Sequence, residues 1–264
     1  MVRKNLIVLL TDFGLSDNYV GVMKGVIKKI NPSADIIDLS NEILPQSIRQ
    51  AAFCLFTSYK YFPEKTVFTC VIDPGVGSNR KILLVKTENY YFIVPDNGII
   101  SWVIEKEKIE KIIWIQNKKY FLDNISNTFH GRDIFAPVTG WLTKGININS
   151  FGKEINNIVK IPFPKPKIDK NKILCEIIYI DRFGNLITNI ENSLFNSIYE
   201  KSNLRKIVFR EKKVELKKSY DSVEMNQPLV INGSHDYIEI SVRGKSAKEY
   251  FNCKIGQKIP IYIY

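Results

Sequence analysis

Three apolar runs of strand length open the chain, at residues 5–10, 34–39 and 66–72, and segments with helical spacing separate them. The first interval offers Ser16 and Asp17 as a cap, then Val20, Met23, Val26, Ile27 and Ile30 on one helical face, and stops at Asn31-Pro32. The second places Pro45 at a helix start, followed by Ile48, Ala51, Ala52, Leu55 and Phe56. A strand that is apolar along its whole length has no face to give to water. It must lie in a sheet covered on both sides, and helices in the connections supply the cover. The order strand, helix, strand, helix, strand therefore predicts a doubly wound α/β layer.

Two further runs, residues 82–86 and 90–94, are joined tightly enough for a hairpin, and Pro95-Asp96-Asn97-Gly98 then marks a turn. Residues 109–115 read as another strand, and the stretch TFHGRDIFAP at residues 128–137 leads into a helix through Trp141 and Leu142. The Pro-dense IPFPKPK at residues 161–167 marks a boundary. Beyond it the pattern changes to short strands at residues 173–180, 186–190, 206–210, 229–231, 237–242 and 259–262, which predicts a small barrel or sandwich. The expected fold class is α/β: an N-terminal α/β domain with a mostly parallel central sheet, plus a smaller C-terminal all-β barrel-like domain. The expected divisions are residues 1–160, a linker at 161–170, and a β domain at 171–264.

A formal charge of +11 on 264 residues raises the question of nucleic acid. The lysines are scattered and interleaved with glutamates, as in EKEKIEK and REKKVELKK. Within residues 201–218, Ile207, Phe209, Val214 and Leu216 break the run, which is the pattern of strands with one solvated face. No nucleic-acid partner is expected. Cys54, Cys70, Cys175 and Cys253 lie far apart with no CxxC pair, so they read as unpaired thiols of a reducing compartment and not as metal ligands. The first apolar run is too short for a signal peptide or a membrane span. A cytoplasmic protein without a membrane partner is expected.

The chemistry concentrates in VIDPGVGSNR, residues 71–80. A strand ends at Asp73, Pro74, Gly75 and Gly77 force a tight turn, and Arg80 returns seven residues after the carboxylate. Alone, this pattern also suits a turn cap and a solvated arginine. Asp12 stands at the carboxyl end of the first strand, where open α/β sheets bind ligands, and a carboxylate there can accept from both hydroxyls of a ribose. His130 lies between an aromatic and a glycine in FHGRDIFAP. Asp181-Arg182-Phe183-Gly184-Asn185 joins two predicted strands, and Arg243-Gly244 follows another. Asp12-Phe13-Gly14 lacks every other kinase element, and Gly75-Val76-Gly77 lacks the helix and third glycine of a dinucleotide fingerprint.

In this order TDFG, DPGVGS with Arg80, PDNG, FHGRDIFAP, IDRFGNLITN and SVRG resemble the S-adenosylmethionine hydroxide adenosyltransferases, relatives of fluorinase and chlorinase. The resemblance covers nearly the whole chain. It implies hydrolysis of S-adenosylmethionine to adenosine and L-methionine by water or hydroxide at C5′, with no cofactor and no metal. Asp73, Arg80 and His130 match the family's Asp-Arg-His triad, which holds the attacking oxygen. Asp12 matches the acid on the ribose diol, Phe183 and Asn185 the adenine contacts, and Arg243 an arginine beside the nucleoside. Asp181 and Ser234 complete the implied substrate-binding set. The resemblance also implies a homotrimer with active sites shared between subunits. Two departures stand out. Gln46 occupies the place of an aromatic wall, and Asn232-Gly233-Ser234-His235 is one residue longer than the family's Asn-Ser segment. A non-catalytic S-adenosylmethionine- or adenosine-binding protein is the alternative, and a halide-directed adenosyl transferase is a more distant one.

Overall fold

The computed structural model describes residues 6–264, so residue 5 of the first predicted strand lies outside the described residues. The described chain divides into two compact units between Pro162 and Phe163. The first runs β1 (Leu6–Thr11), α1 (Tyr19–Ile30), β2 (Asp35–Ser40), α2 (Ile48–Ser58), β3 (Val67–Val71), β4 (Ile82–Thr87), β5 (Tyr91–Pro95), α3 (Ser101–Ile104), β6 (Ile109–Ile115), α4 (Ala136–Thr143) and β7 (Gly152–Glu154). Its sheet has the order β2-β1-β3-β5-β4-β6-β7. The first four strands in that order pair parallel, and β4, β6 and β7 extend the sheet antiparallel through the β4–β5 hairpin.

The doubly wound reading rests on alternation within buried strands. On β1, Ile7 and Leu9 pack with Val20, Met23 and Ile27 of α1 and with Ala136 and Val138 of α4. Val8 and Leu10 face the other way, against Ala51 and Leu55 of α2 and Val103 of α3. Each such buried side chain stabilises the unit by roughly 1.5–3 kcal/mol relative to exposure.

Both predicted helix starts move. Helix α1 begins after Asn18, whose side chain makes no capping hydrogen bond, and not at a Ser16 or Asp17 cap. Helix α2 begins at Ile48, because Gln46 sits at φ 63° and a left-handed residue cannot continue a helix from Pro45. The helix containing Trp141 opens with a single π turn over Gly131–Phe135. Pro137 has no N–H for the Asp133 carbonyl, and that carbonyl instead accepts from the Leu122 N–H at 3.0 Å.

The second unit runs β8 (Lys167–Asp169), β9 (Lys172–Ile180), β10 (Leu186–Glu191), α5 (Asn192–Lys201), β11 (Ile207–Phe209), β12 (Lys212–Lys217), β13 (Pro228–Asn232), β14 (Tyr237–Val242), α6 (Ala247–Tyr250) and β15 (Lys258–Ile263). The strand order is β10-β14-β13-β12-β11-β15-β9-β8, and a further β10–β9 pairing closes a barrel with β8 outside it. Its core takes alternate residues: Ile173, Cys175 and Ile177 from β9, Ile238, Ile240 and Val242 from β14, and Ile259, Ile261 and Ile263 from β15. Phe195 of α5 and Ala247 of α6 join that core. Within the stretch expected as a linker, Lys167–Asp169 is paired with β9.

Candidate active site

Beyond β3 the chain reaches Asp73 and turns. The Val76 N–H returns to the Asp73 carbonyl at 3.1 Å, and Ser78 Oγ donates to the Gly75 carbonyl at 2.7 Å while accepting from the Arg80 N–H. Gly75 lies under the arginine stem, where an added Cβ would sit 3.2 Å from Arg80 Cγ. Gly77 has φ +78° and faces the Asn127 carbonyl, 2.4 Å from where its Cβ would be. Only glycine allows this turn to lie against the segment that carries His130.

The result is one cluster. Arg80 Nε donates to Asp73 Oδ1 and Oδ2, both at 2.8 Å, and Nη2 donates to Oδ2. The ion pair is largely enclosed, with side-chain exposures of 11% for Arg80 and 5% for Asp73. Arg80 Nη2 also meets His130 Nδ1 at 2.8 Å. A guanidinium has no acceptor, so Nδ1 carries the lone pair and the neutral ring holds its proton on Nε2. Burial lowers the His130 pKa and the Arg80 charge lowers it further, against the opposing carboxylates of Asp73 and Asp133. The imidazole is therefore neutral at neutral pH.

A buried carboxylate braces the loop that leads to the histidine. Asp133 is 0% exposed and accepts from the Ser126 N–H at 2.8 Å and Arg132 Nε at 2.6 Å. Burial alone would raise its pKa, but these donors outweigh burial and hold the carboxyl below its ordinary range. Ser126 Oγ then accepts from the Phe129 N–H, which fixes the loop just before His130.

Asp12, Asp73 and His130 line one cleft of about 350 Å³ together with Phe13, Tyr19, Gln46 and Phe129. Asp12 Oδ2 accepts from the Gln46 N–H at 2.7 Å and keeps further lone pairs for a ligand. The rings of Phe13, Tyr19 and Phe129 pack mutually, with centroids 4.9–5.7 Å apart. Sequence reasoning missed this aromatic wall, although Phe13 and Phe129 sit inside motifs it had singled out. It placed Asn97 in a turn and in the PDNG motif without assigning it a role. Asn97 Nδ2 in fact donates to the Ile72 carbonyl at 2.8 Å and pins the chain immediately before Asp73.

In the second unit, Asp181 organises the β9–β10 turn. Its Oδ1 accepts from the backbone N–H groups of Phe183 and Asn185, and its Oδ2 from Asn185 Nδ2 at 2.8 Å. Gly184 is at φ +82°, and a Cβ there would lie 2.2 Å from Ser246 Oγ. Asn185 is buried while Phe183 projects from the turn at 78% exposure. Arg243 Nη1 donates to the Val223 carbonyl at 2.6 Å. Ser234 is exposed in the β13–β14 turn. Hydrogen bonds join Asp181, Phe183 and Asn185, whereas Arg243 bonds to the Asp221 and Val223 carbonyls instead.

Family models for the SAM hydroxide adenosyltransferase N-terminal and C-terminal domains match residues 7–152 and 175–260. An (R)-S-adenosyl-L-methionine hydrolase from Methanocaldococcus jannaschii is 38% identical over 97% of this chain and 95% of its own length. A fluorinase from an Actinoplanes species is 26% identical over 71% of this chain and 72% of its own. Among solved structures, an uncharacterized conserved protein from Thermotoga maritima superposes with a TM-score of 0.89 at 37% identity, covering 97% of this chain and 99% of that one. Matches of this extent, in both units, make the chain a member of the SAM hydroxide adenosyltransferase family.

Proposed function

We propose that this chain hydrolyses S-adenosyl-L-methionine, with water or hydroxide attacking C5′ to release adenosine and L-methionine. The observation that carries the reading is the bridge from Asp73 through Arg80 to a neutral His130, beside a cleft that Asp12 also lines. The sulfonium is already an activated leaving group, so no acid and no cofactor is required. The C5′–S bond breaks with its electron pair on sulfur, the O–C5′ bond forms, and the water proton leaves through Asp73 to solvent. Arg80 Nη1 has no partner among the described residues and can hold the incoming oxygen as it gains charge. His130 orients that oxygen, and alignment with the C–S bond removes much of the entropic barrier. A halide would meet the Asp73 carboxylate, which repels it.

Asp12 receives the ribose hydroxyls. In the second unit, Phe183 packs on adenine, and Asn185 Oδ1, free of donors among the described residues, accepts from its amino group. Ser234 and Arg243 complete the nucleoside side. The reading extends to assembly as a homotrimer whose sites take residues from two copies, and to the cytoplasm, where four free thiols are at home.

In isotopically labelled water the protein converts S-adenosyl-L-methionine to adenosine labelled at the 5′ oxygen. Unlabelled adenosine, or a 5′-halo product in halide buffer, refutes the hydrolase reading, and bound but unchanged substrate makes the chain a binding protein. For assembly, His130→Ala and Asn185→Ala proteins are dissociated, mixed and reassociated. Recovery of part of the activity supports shared sites; mixtures as inactive as their parents, or a monomer in sedimentation, refute them.

A further inference from the structure

Two adjacent residues of the PDNG turn close the reactive loop at its base. Asn97 Nδ2 donates to the carbonyl of Ile72, just before Asp73, at 2.8 Å. The Asp96 N–H donates to the carbonyl of Lys81, just after Arg80, at 2.9 Å. The Asp96 bond continues the β4–β5 ladder past its Ile82–Pro95 pair. The Asn97 bond has no ladder behind it, because the parallel β3–β5 pairing ends at Thr69 and Ile93. One end of the loop thus hangs on a single side-chain amide.

The turn that supplies this amide is itself held. Asn97 Oδ1 accepts from the Ile99 N–H at 3.2 Å, which fixes the amide from its other side. Asp96 Oδ1 accepts from the Val159 N–H at 2.8 Å, and Ser101 Oγ from the Ile161 N–H at 2.9 Å. Gly98, at φ +93°, lies under Ile161, and an added Cβ would be 2.8 Å from Ile161 Cγ2. The turn therefore has little freedom to follow the loop if the loop shifts. Arg80, in turn, must meet Asp73 and His130 at once, through bonds of 2.8 Å to each. A shift of about 1 Å at the Asp73 end breaks such a bond, and a misplacement of that size can cost a reaction about 10²-fold.

We infer that Asn97 is a positioning residue for hydrolysis: through the Ile72 carbonyl it fixes where Asp73 stands, and so keeps Asp73, Arg80 and His130 in one network. The inference rests on the proposed hydrolase reading for the reaction that the network serves.

The test compares Asn97→Ala with Asn117→Ala. Asn117 makes the same two bonds elsewhere in the unit: its Nδ2 donates to the Ser150 carbonyl at 2.8 Å, and its Oδ1 accepts from the Lys119 N–H at 3.2 Å. Asn97→Ala lowers kcat about 10-fold or more and leaves KM within about threefold, while Asn117→Ala keeps both within about twofold. A kcat for Asn97→Ala as high as that of Asn117→Ala overturns the inference. A double-mutant cycle separates positioning from a general loss of structure, which would lower kcat in any background. With Arg80→Ala already present, adding Asn97→Ala lowers kcat only about twofold further, because the network it positions is gone. Losses that multiply in full show that Asn97 does not act through that network.

Were the wild type to turn over no S-adenosyl-L-methionine, the hydrolase reading would fall, and His130 would still report on Asn97. Burial and then the Arg80 charge lower the His130 pKa, against Asp73 and Asp133. The chain has two histidines, so His130→Asn assigns the signal in a nitrogen-edited NMR titration. Asn97→Ala, by loosening Arg80 from the ring, moves the His130 pKa up toward its ordinary 6.5, and Asn117→Ala leaves it in place. A His130 titration that Asn97→Ala does not move overturns the inference whether or not the protein is a hydrolase.

Discussion

Asp73 and Asp181 each lie just past a strand, before a glycine-containing turn, and their carboxylates are used differently. Asp181 keeps its oxygens within its own turn, on the N–H groups of Phe183 and Asn185 and on the Asn185 side chain. Asp73 gives both oxygens to an arginine seven residues on, and that arginine reaches a histidine fifty residues further along. The first carboxylate shapes a local loop that displays an exposed aromatic. The second anchors a charged network drawn from two elements of the unit. Position at a strand end is shared; the reach of the partners separates a scaffold from reactive machinery.

The sharpest test of this difference is Arg80→Ala beside Asp181→Asn. Removing Arg80 strips the electrostatic help and leaves Asp73 unpaired at 5% side-chain exposure. Turnover is expected to fall about 10²-fold or more, with a loss of thermal stability, and Asp73→Asn is expected to show the same loss of turnover. Comparable kcat in Arg80→Ala and wild type would erase the distinction.

Next in size come the two constrained glycines. Gly77→Ala forces a Cβ onto the Asn127 carbonyl and strains a positive φ, so it is expected to cost about 1–3 kcal/mol and lower kcat roughly 10-fold. Gly184→Ala meets Ser246 instead, and the effect is expected in KM, with kcat nearly unchanged. Thermal melts and saturation kinetics on both variants separate the outcomes.

A smaller effect follows from pH. Because the folded state lowers the His130 pKa below its ordinary 6.5, folding favours the neutral ring. That stabilisation is fully present above pH 6.5 and is lost as pH falls through the folded value. Protonation would also set an imidazolium against Arg80. Denaturant titrations from pH 8 to about 5 should show a decline in stability that His130→Asn flattens.

The smallest change is expected from Asp181→Asn. It retains an acceptor for the turn and disturbs only the bond to Asn185 Nδ2, raising KM about two- to fivefold with kcat unchanged. A large loss of kcat would mean that Asp181 belongs to the reactive network.

Much of this is legible in the sequence. Wholly apolar runs at β1 and β3 required cover on both faces, and Ile7/Leu9 against Val8/Leu10 shows that cover. The DPGVGS turn and the spacing from Asp73 to Arg80 are local, so sequence exposed both the turn and the return of the arginine. The five-residue loop held by Asp181 is equally local. Such features are fixed by φ preferences, side-chain reach along the chain and the period of apolar residues.

Tertiary structure alone decided the rest. Sequence could name His130, but not that Gly77 must lie against Asn127 for Arg80 to reach it, nor that Arg80 would fix its tautomer. Gln46 took a left-handed conformation that no local signal announced, and Pro137 opened a π turn whose free carbonyl needed Leu122. Asn97 read as one residue of a turn until the fold set its amide against the Ile72 carbonyl at the base of the reactive loop. In each case a distant part of the chain chose among conformations nearly equal in local energy, because packing and desolvation exist only once those parts meet.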